Sequence, residues 1–188
     1  MHACLPDMPI QNHSVTPVAL PVESGIARAY ESVNLADAYA ITLPVGATTS
    51  PERLARFIFS QQAPWVGGLM KVRDLLVAGF GLKAAAQLTK LDTGSQAQRV
   101  GIFKIYSTTE HEIVLGEDDK HLDFRLSVLC SARPVPAGGH RLTLSTVVHC
   151  HNRLGRLYIL LIAPFHRQVV QSSLRRAART GWPHATRT

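Results

Sequence analysis

The feature that most constrains this chain is a change of period near its end. From Arg141 to His151 (RLTLSTVVHCH) polar and apolar residues alternate and β-branched types are frequent, the pattern of a half-buried strand. From Leu154 to Arg179 the period lengthens to that of a helix. A long strand that hands its chain to a long terminal helix buries both apolar surfaces when the helix folds back across the sheet. The expectation is an α+β fold in which a curved antiparallel sheet wraps a C-terminal helix, with a pocket between them.

With 188 residues, one domain with a proper core is expected. Apolar residues make up 46% and charged residues 18%, a globular balance. The net charge of +7 is unevenly placed: residues 1–152 sum to zero, and residues 153–188 hold seven Arg and no acid. Such a run usually marks a solvated helix face, with Arg175, Arg176 and Arg179 where the helix dipole favours cations. The functional alternative is an anionic partner, a lipid headgroup or a nucleic acid. No basic strip with interleaved aromatics appears, so no specific nucleic-acid partner is expected. Cys4, Cys130 and Cys150 are odd in number and lack metal-ligand spacing. A hairpin through Pro134 to Gly139 would hold Cys130 and Cys150 far apart, so no disulfide is expected. The N-terminus lacks the apolar core of a signal peptide, and Leu157 to Phe165 is less than half a membrane span. A soluble, cytoplasmic protein is expected.

Residues 1–28 carry four prolines without a sustained period and are expected to form an extended or disordered lead-in. The domain itself is expected over 29–180, with a basic tail at 181–188. Ala36 to Leu43 is the first strand. Ser50 and Pro51 then cap a short helix bearing Leu54, Phe57 and Ile58. A second helical piece is expected from Pro64 to Leu82, with Trp65, Leu69 and Phe80 at helical spacing. Strands follow at Val100 to Thr108, Glu112 to Leu115, Leu122 to Ala132 and Arg141 to His151. Gly116 to Lys120 (GEDDK) is expected to be a solvated turn, since it lacks the ligand ladder of a calcium loop.

Register then sorts the side chains. Leu122, Phe124, Leu126, Val128 and Cys130 on one strand, and Leu142, Leu144, Thr146, Val148 and Cys150 on the next, must share the face turned to the helix, because a one-residue slip would expose one row. That requirement puts His121, Asp123, His149 and His151 together on the other face, with Asp123 near His149 and His121 near His151. The same four are candidate metal ligands, although cross-strand His and Asp pairs also occur without a ligand. On the helix, Leu154, Leu157, Tyr158, Leu161, Ile162, Phe165 and Val169 fall on one stripe, opposite Arg153, Arg156 and Arg167. Pro164 is expected to kink the helix near Phe165 and His166.

The segments Glu112 to Val128 (EIVLGEDDKHLDFRLSV) and Val147 to Arg176 (VVHCHNRLGRLYILLIAPFHRQVVQSSLRR) are similar to a bacterial domain-of-unknown-function family, family 2867. The resemblance implies the helix-grip fold of START-type lipid-transfer domains and polyketide cyclases: a first strand, two small helices, a curved antiparallel sheet and a closing helix. It implies no activity and transfers no catalytic residue.

The function expected first is binding or carriage of a hydrophobic small molecule, lipid or polyketide-like, between sheet and helix. Its walls would be Phe124, Leu126, Val128, Leu144, Thr146, Val148, Tyr158, Leu161, Phe165 and Val169, with Trp65, Leu69 and Phe80 at the mouth. The same residues would also build a plain core. No cofactor is expected. An enzymatic alternative, a cyclase, isomerase or hydrolase, would use Asp123, His149 or His166 for proton transfer. For the sheet pair this needs the polar face to be the concave one. A further alternative is binding of an anionic surface by the Arg-rich helix. The sequence fixes no oligomeric state.

Overall fold

The computed structural model describes residues 14–61, 99–136 and 138–185. Seven strands form one antiparallel sheet: β1 (Thr16–Val18), β2 (Leu35–Thr42), β3 (Arg99–Val100), β4 (Phe103–Thr108), β5 (Glu112–Asp118), β6 (Leu122–Cys130) and β7 (Arg141–Cys150). Helix α1 (Pro51–Ser60) follows β2, and helix α2 (Arg153–Thr180) follows β7. The spatial order is β1-β2-β7-β6-β5-β4-β3, so β3 to β7 run as a meander and β2 closes against the last strand. The fold is α+β, with a long C-terminal helix on the sheet and a short helix after β2. The second expected helix, Pro64 to Leu82, lies outside the described residues.

Two strands differ from the sequence expectation for local reasons. Val100 to Thr108 is not one strand, because Gly101 takes a φ of +60° and turns the chain between β3 and β4. The GEDDK stretch is not all turn: β5 continues to Asp118, which pairs with Asp123 of β6. A side chain at Gly116 would bring its Cβ within 2.3 Å of the Phe124 carbonyl oxygen, so the glycine there serves close strand approach.

The register of β6 on β7 aligns Leu126 with Thr146, Val128 with Leu144 and Cys130 with Leu142, so both apolar rows share the face covered by the helices. There Leu126, Val128, Leu142 and Leu144 pack with Leu54, Ala55 and Ile58 of α1 and with Val170, Leu174, Ala177 and Ala178 of α2. Nearer the start of α2, Leu35, Leu122, Val148 and Cys150 form a second cluster around Ile159. Cys130 and Cys150 sit at opposite ends of the hairpin, buried and unbridged.

The stripe that α2 buries is not the one its apolar period indicates. Gly155, Ile159, Val170, Ser173, Leu174, Ala177 and Ala178 are buried, whereas Leu157, Leu160, Leu161 and Phe165 are at least half exposed. Close approach decides between the two. A Cβ on Gly155 would lie 2.3 Å from the His121 carbonyl oxygen, so the start of the helix meets the sheet on its glycine side. Pro164 lies inside α2 and is exposed, and so is Leu160, whose carbonyl loses its helical donor to the ring.

The residues before β2 also pack on the sheet. β1 pairs with β2, and Ile26, 1% exposed, packs with Val114 and Val147 on the face away from the helices. Leu20, Tyr30 and Tyr106 complete that cluster. Beneath the segment lies Glu112, 8% exposed, whose carboxylate accepts hydrogen bonds from the Ser24 hydroxyl, the Ser127 hydroxyl and the Gly25 amide. A buried carboxylate with three donors is a satisfied one. Among the described residues no helix is long and apolar enough to cross a membrane.

Candidate functional site

The inner face is mostly hydrocarbon, which makes its few polar groups informative. β2 alternates Leu35, Asp37, Tyr39 and Ile41 toward the helices, opposite Val148, Thr146, Leu144 and Leu142 of β7. Asp37 therefore stands in an apolar row, between the two buried clusters and directly across the ladder from Thr146. From above, α2 lowers His166, whose Nε2 comes within 3.5 Å of an Asp37 carboxylate oxygen; the Arg167 Nε approaches the other oxygen at 3.8 Å. Both separations exceed that of a good charged hydrogen bond.

The consequence is a group of buried polar atoms left open. The Asp37 side chain is 10% exposed, and its two carboxylate oxygens, the Thr146 hydroxyl and the His166 Nε2 have no hydrogen-bond partner among the described residues. Unsatisfied buried groups of this kind cost on the order of 1–3 kcal/mol each, more when charged. They persist where a site needs them. Thr146 and His166 were named from the sequence, as a wall residue and as a proton-transfer candidate. Asp37 was not. Its signal was the phase it shares with Tyr39 and Ile41, which puts an acid on the buried row of the first long strand.

The same inner face also carries aromatic rings. Phe59 of α1, Phe103 of β4 and Phe124 of β6 form a chain, with ring centroids 5.3 Å and 5.8 Å apart and edge-on geometry. All three are half-buried, as are Ile105 and Tyr158. Of the remaining wall residues, Leu126, Val128 and Leu144 are core, and Val148 belongs to the second cluster. Val169 is half-buried, whereas Leu161 and Phe165 lie on the exposed side of α2. Trp65, Leu69 and Phe80 lie outside the described residues.

The histidines of the other face take separate partners. Asp123 and His149 are paired across the ladder, yet the Asp123 carboxylate meets His151 Nε2 at 3.1 Å, while His149 Nδ1 turns to Ser32. The His149 ring also stacks on Tyr30 at 5.6 Å. His121 lies across from His151, whose backbone amide donates to its carbonyl at 3.0 Å, but its ring turns elsewhere: the Asn152 amide donates to its Nδ1 at 2.9 Å, while Asn152 Oδ1 caps α2 by accepting from the Gly155 amide. Among the described residues no three His, Cys, Asp or Glu side chains converge as metal ligands. Asp123 and His149 are thus separated from His166 by the thickness of the sheet.

Next to them Arg125 lies 3.6 Å above the Tyr106 ring and donates to Asp118 at 2.7 Å, as does the Tyr106 hydroxyl. Burial alone would raise the Asp118 carboxyl, but these two hydrogen bonds outweigh it and hold the group below the ordinary carboxylate range.

A family model described as "Protein of unknown function (DUF2867)" matches residues 29–173, well over half of the chain, and the chain belongs to that family. No curated protein and no solved structure matches it.

Proposed function

We propose that this DUF2867 chain has the helix-grip fold and binds a hydrophobic small molecule, lipid or polyketide-like, between the inner sheet face and α2. The observation that carries the proposal is the chain of half-buried rings Phe59, Phe103 and Phe124. Aromatic side chains on the helix-covered face of a sheet ordinarily complete the core. Here they are half-buried, on the same face as polar atoms that have no hydrogen-bond partner among the described residues, and an apolar wall with a few polar groups is what small-molecule sites present. The reading places the activity in recognition and gives Asp123 and His149, across the sheet, no part in it.

The test is titration with N-phenyl-1-naphthylamine, a neutral apolar fluorophore. Saturable, blue-shifted emission at one probe per chain is expected. Phe124→Ala should weaken it by about tenfold, the equivalent of losing part of one buried ring. Emission that never saturates, or that is indifferent to Phe124, would refute the proposal.

A further inference from the structure

Resting on that binding reading, we infer that Asp37, Thr146 and His166 form a polar-head subsite that selects ligands bearing a hydroxyl group. The inference comes from what the open atoms require. The Asp37 oxygens need donors, and they are buried, with neither His166 Nε2 at 3.5 Å nor Arg167 Nε at 3.8 Å close enough to satisfy them. Thr146, 4% exposed and opposite Asp37, has a hydroxyl without a hydrogen-bond partner among the described residues, able to donate or accept. One ligand group that donates to the carboxylate and accepts from Thr146 or His166 answers both needs. A hydroxyl does this; an ether or a bare hydrocarbon does not. A ligand ammonium fits less well, because the Arg167 guanidinium already sits beside the carboxylate and offsets its charge.

Position supports the same assignment. The three residues lie between the two apolar clusters of the inner face, so a ligand whose hydroxyl reaches Asp37 keeps its hydrocarbon against side chains on either side. A polar anchor in an apolar wall discriminates strongly, because a ligand without the matching group leaves the buried acceptor unpaired.

The experiment is competition at pH 7 against bound N-phenyl-1-naphthylamine by 2-naphthol and by 2-methoxynaphthalene, which differ in the ability to donate. The wild type should prefer 2-naphthol by about tenfold or more, as expected for one hydrogen bond to a charged acceptor. Asp37→Asn and, separately, Thr146→Val should bring that ratio toward one; the ratio is read within each variant, so a change in fluorophore affinity affects both competitors alike and leaves the comparison intact. If Asp37 only ties α2 to β2, Asp37→Asn will lower thermal stability and leave the ratio untouched, which overturns the subsite. Equal affinity of the wild type for the two naphthalenes overturns it as well. Fluorophore binding without hydroxyl preference would sink the subsite and keep the binding proposal; no binding of any of the three compounds would sink both.

Discussion

At the scale of single residues, what a side chain does here is set by how closely the backbone behind it is approached. Gly155 is the clearest case, since a methyl group there would meet the His121 carbonyl oxygen at 2.3 Å and the Cys150 Cβ at 3.4 Å. Alanine is the better helix former. Even so, Gly155→Ala should destabilise the protein by about 1–3 kcal/mol, as overpacking of a tight contact does. Urea unfolding followed by circular dichroism measures the difference, and an unchanged or raised midpoint would show that α2 has room to shift. Asp37 illustrates the opposite situation, a buried carboxylate with no hydrogen-bond partner among the described residues. The clash was hard to see in the sequence because it is a property of two segments, each ordinary alone; for Asp37 the phase of its strand marked a buried acid, but its missing partner again depends on a second segment.

At the scale of elements, the segment before β2 behaves as a strap across the outer face, and its fastening point is Glu112. One carboxylate oxygen accepts from the hydroxyls of Ser24 and Ser127, both at 2.5 Å, and the other from the Gly25 amide at 2.9 Å. Glu112→Gln keeps the shape but replaces one acceptor with a donor facing these groups, which should cost about 1–3 kcal/mol. The loss should be local. Hydrogen exchange is expected to speed up in residues 20–34 while β6 and β7 keep their protection, and uniform exchange throughout would count against a strap. The sheet, its register and α1 were legible beforehand because alternation and capping are local codes: the rows of Leu126 and Leu144 could only face inward together. The strap was not legible, because its prolines and short apolar residues lack a period, and its place is set by one acid about ninety residues away. The buried stripe of α2 was misjudged on different grounds. Counting apolar residues at 100° per step favours Leu157, Leu161 and Phe165, but the sheet takes a row in which Gly155, Ser173, Ala177 and Ala178 allow close approach between Ile159, Val170 and Leu174.

At the scale of the whole molecule, the fold keeps proton-bearing groups inside on both faces of the sheet, which sets its response to alkali. Burial pushes the Cys130 thiol up to about 11 and raises that of Cys150 as well, with Arg156 opposing in part. Burial also pushes the Tyr30 phenol up to about 12, although Arg125 nearby works against it. For each group the native state holds its proton to higher pH than the unfolded chain does. Between the unfolded and native values the native state therefore binds more protons, and unfolding becomes easier as pH rises. Stability should be full below about pH 9, the ordinary thiol range, and should fall from there toward pH 11 and beyond. Cys130→Ala isolates one contributor: it costs stability at neutral pH by opening a cavity, but it removes that thiol's share of the alkaline loss. The gap between wild type and Cys130→Ala, measured by urea unfolding at pH 7, 9 and 10.5, should accordingly narrow as pH increases. A gap that stays constant would mean that Cys130 ionises as readily in the folded protein as in the unfolded chain, and that water reaches the inner face between β6, β7 and the helices.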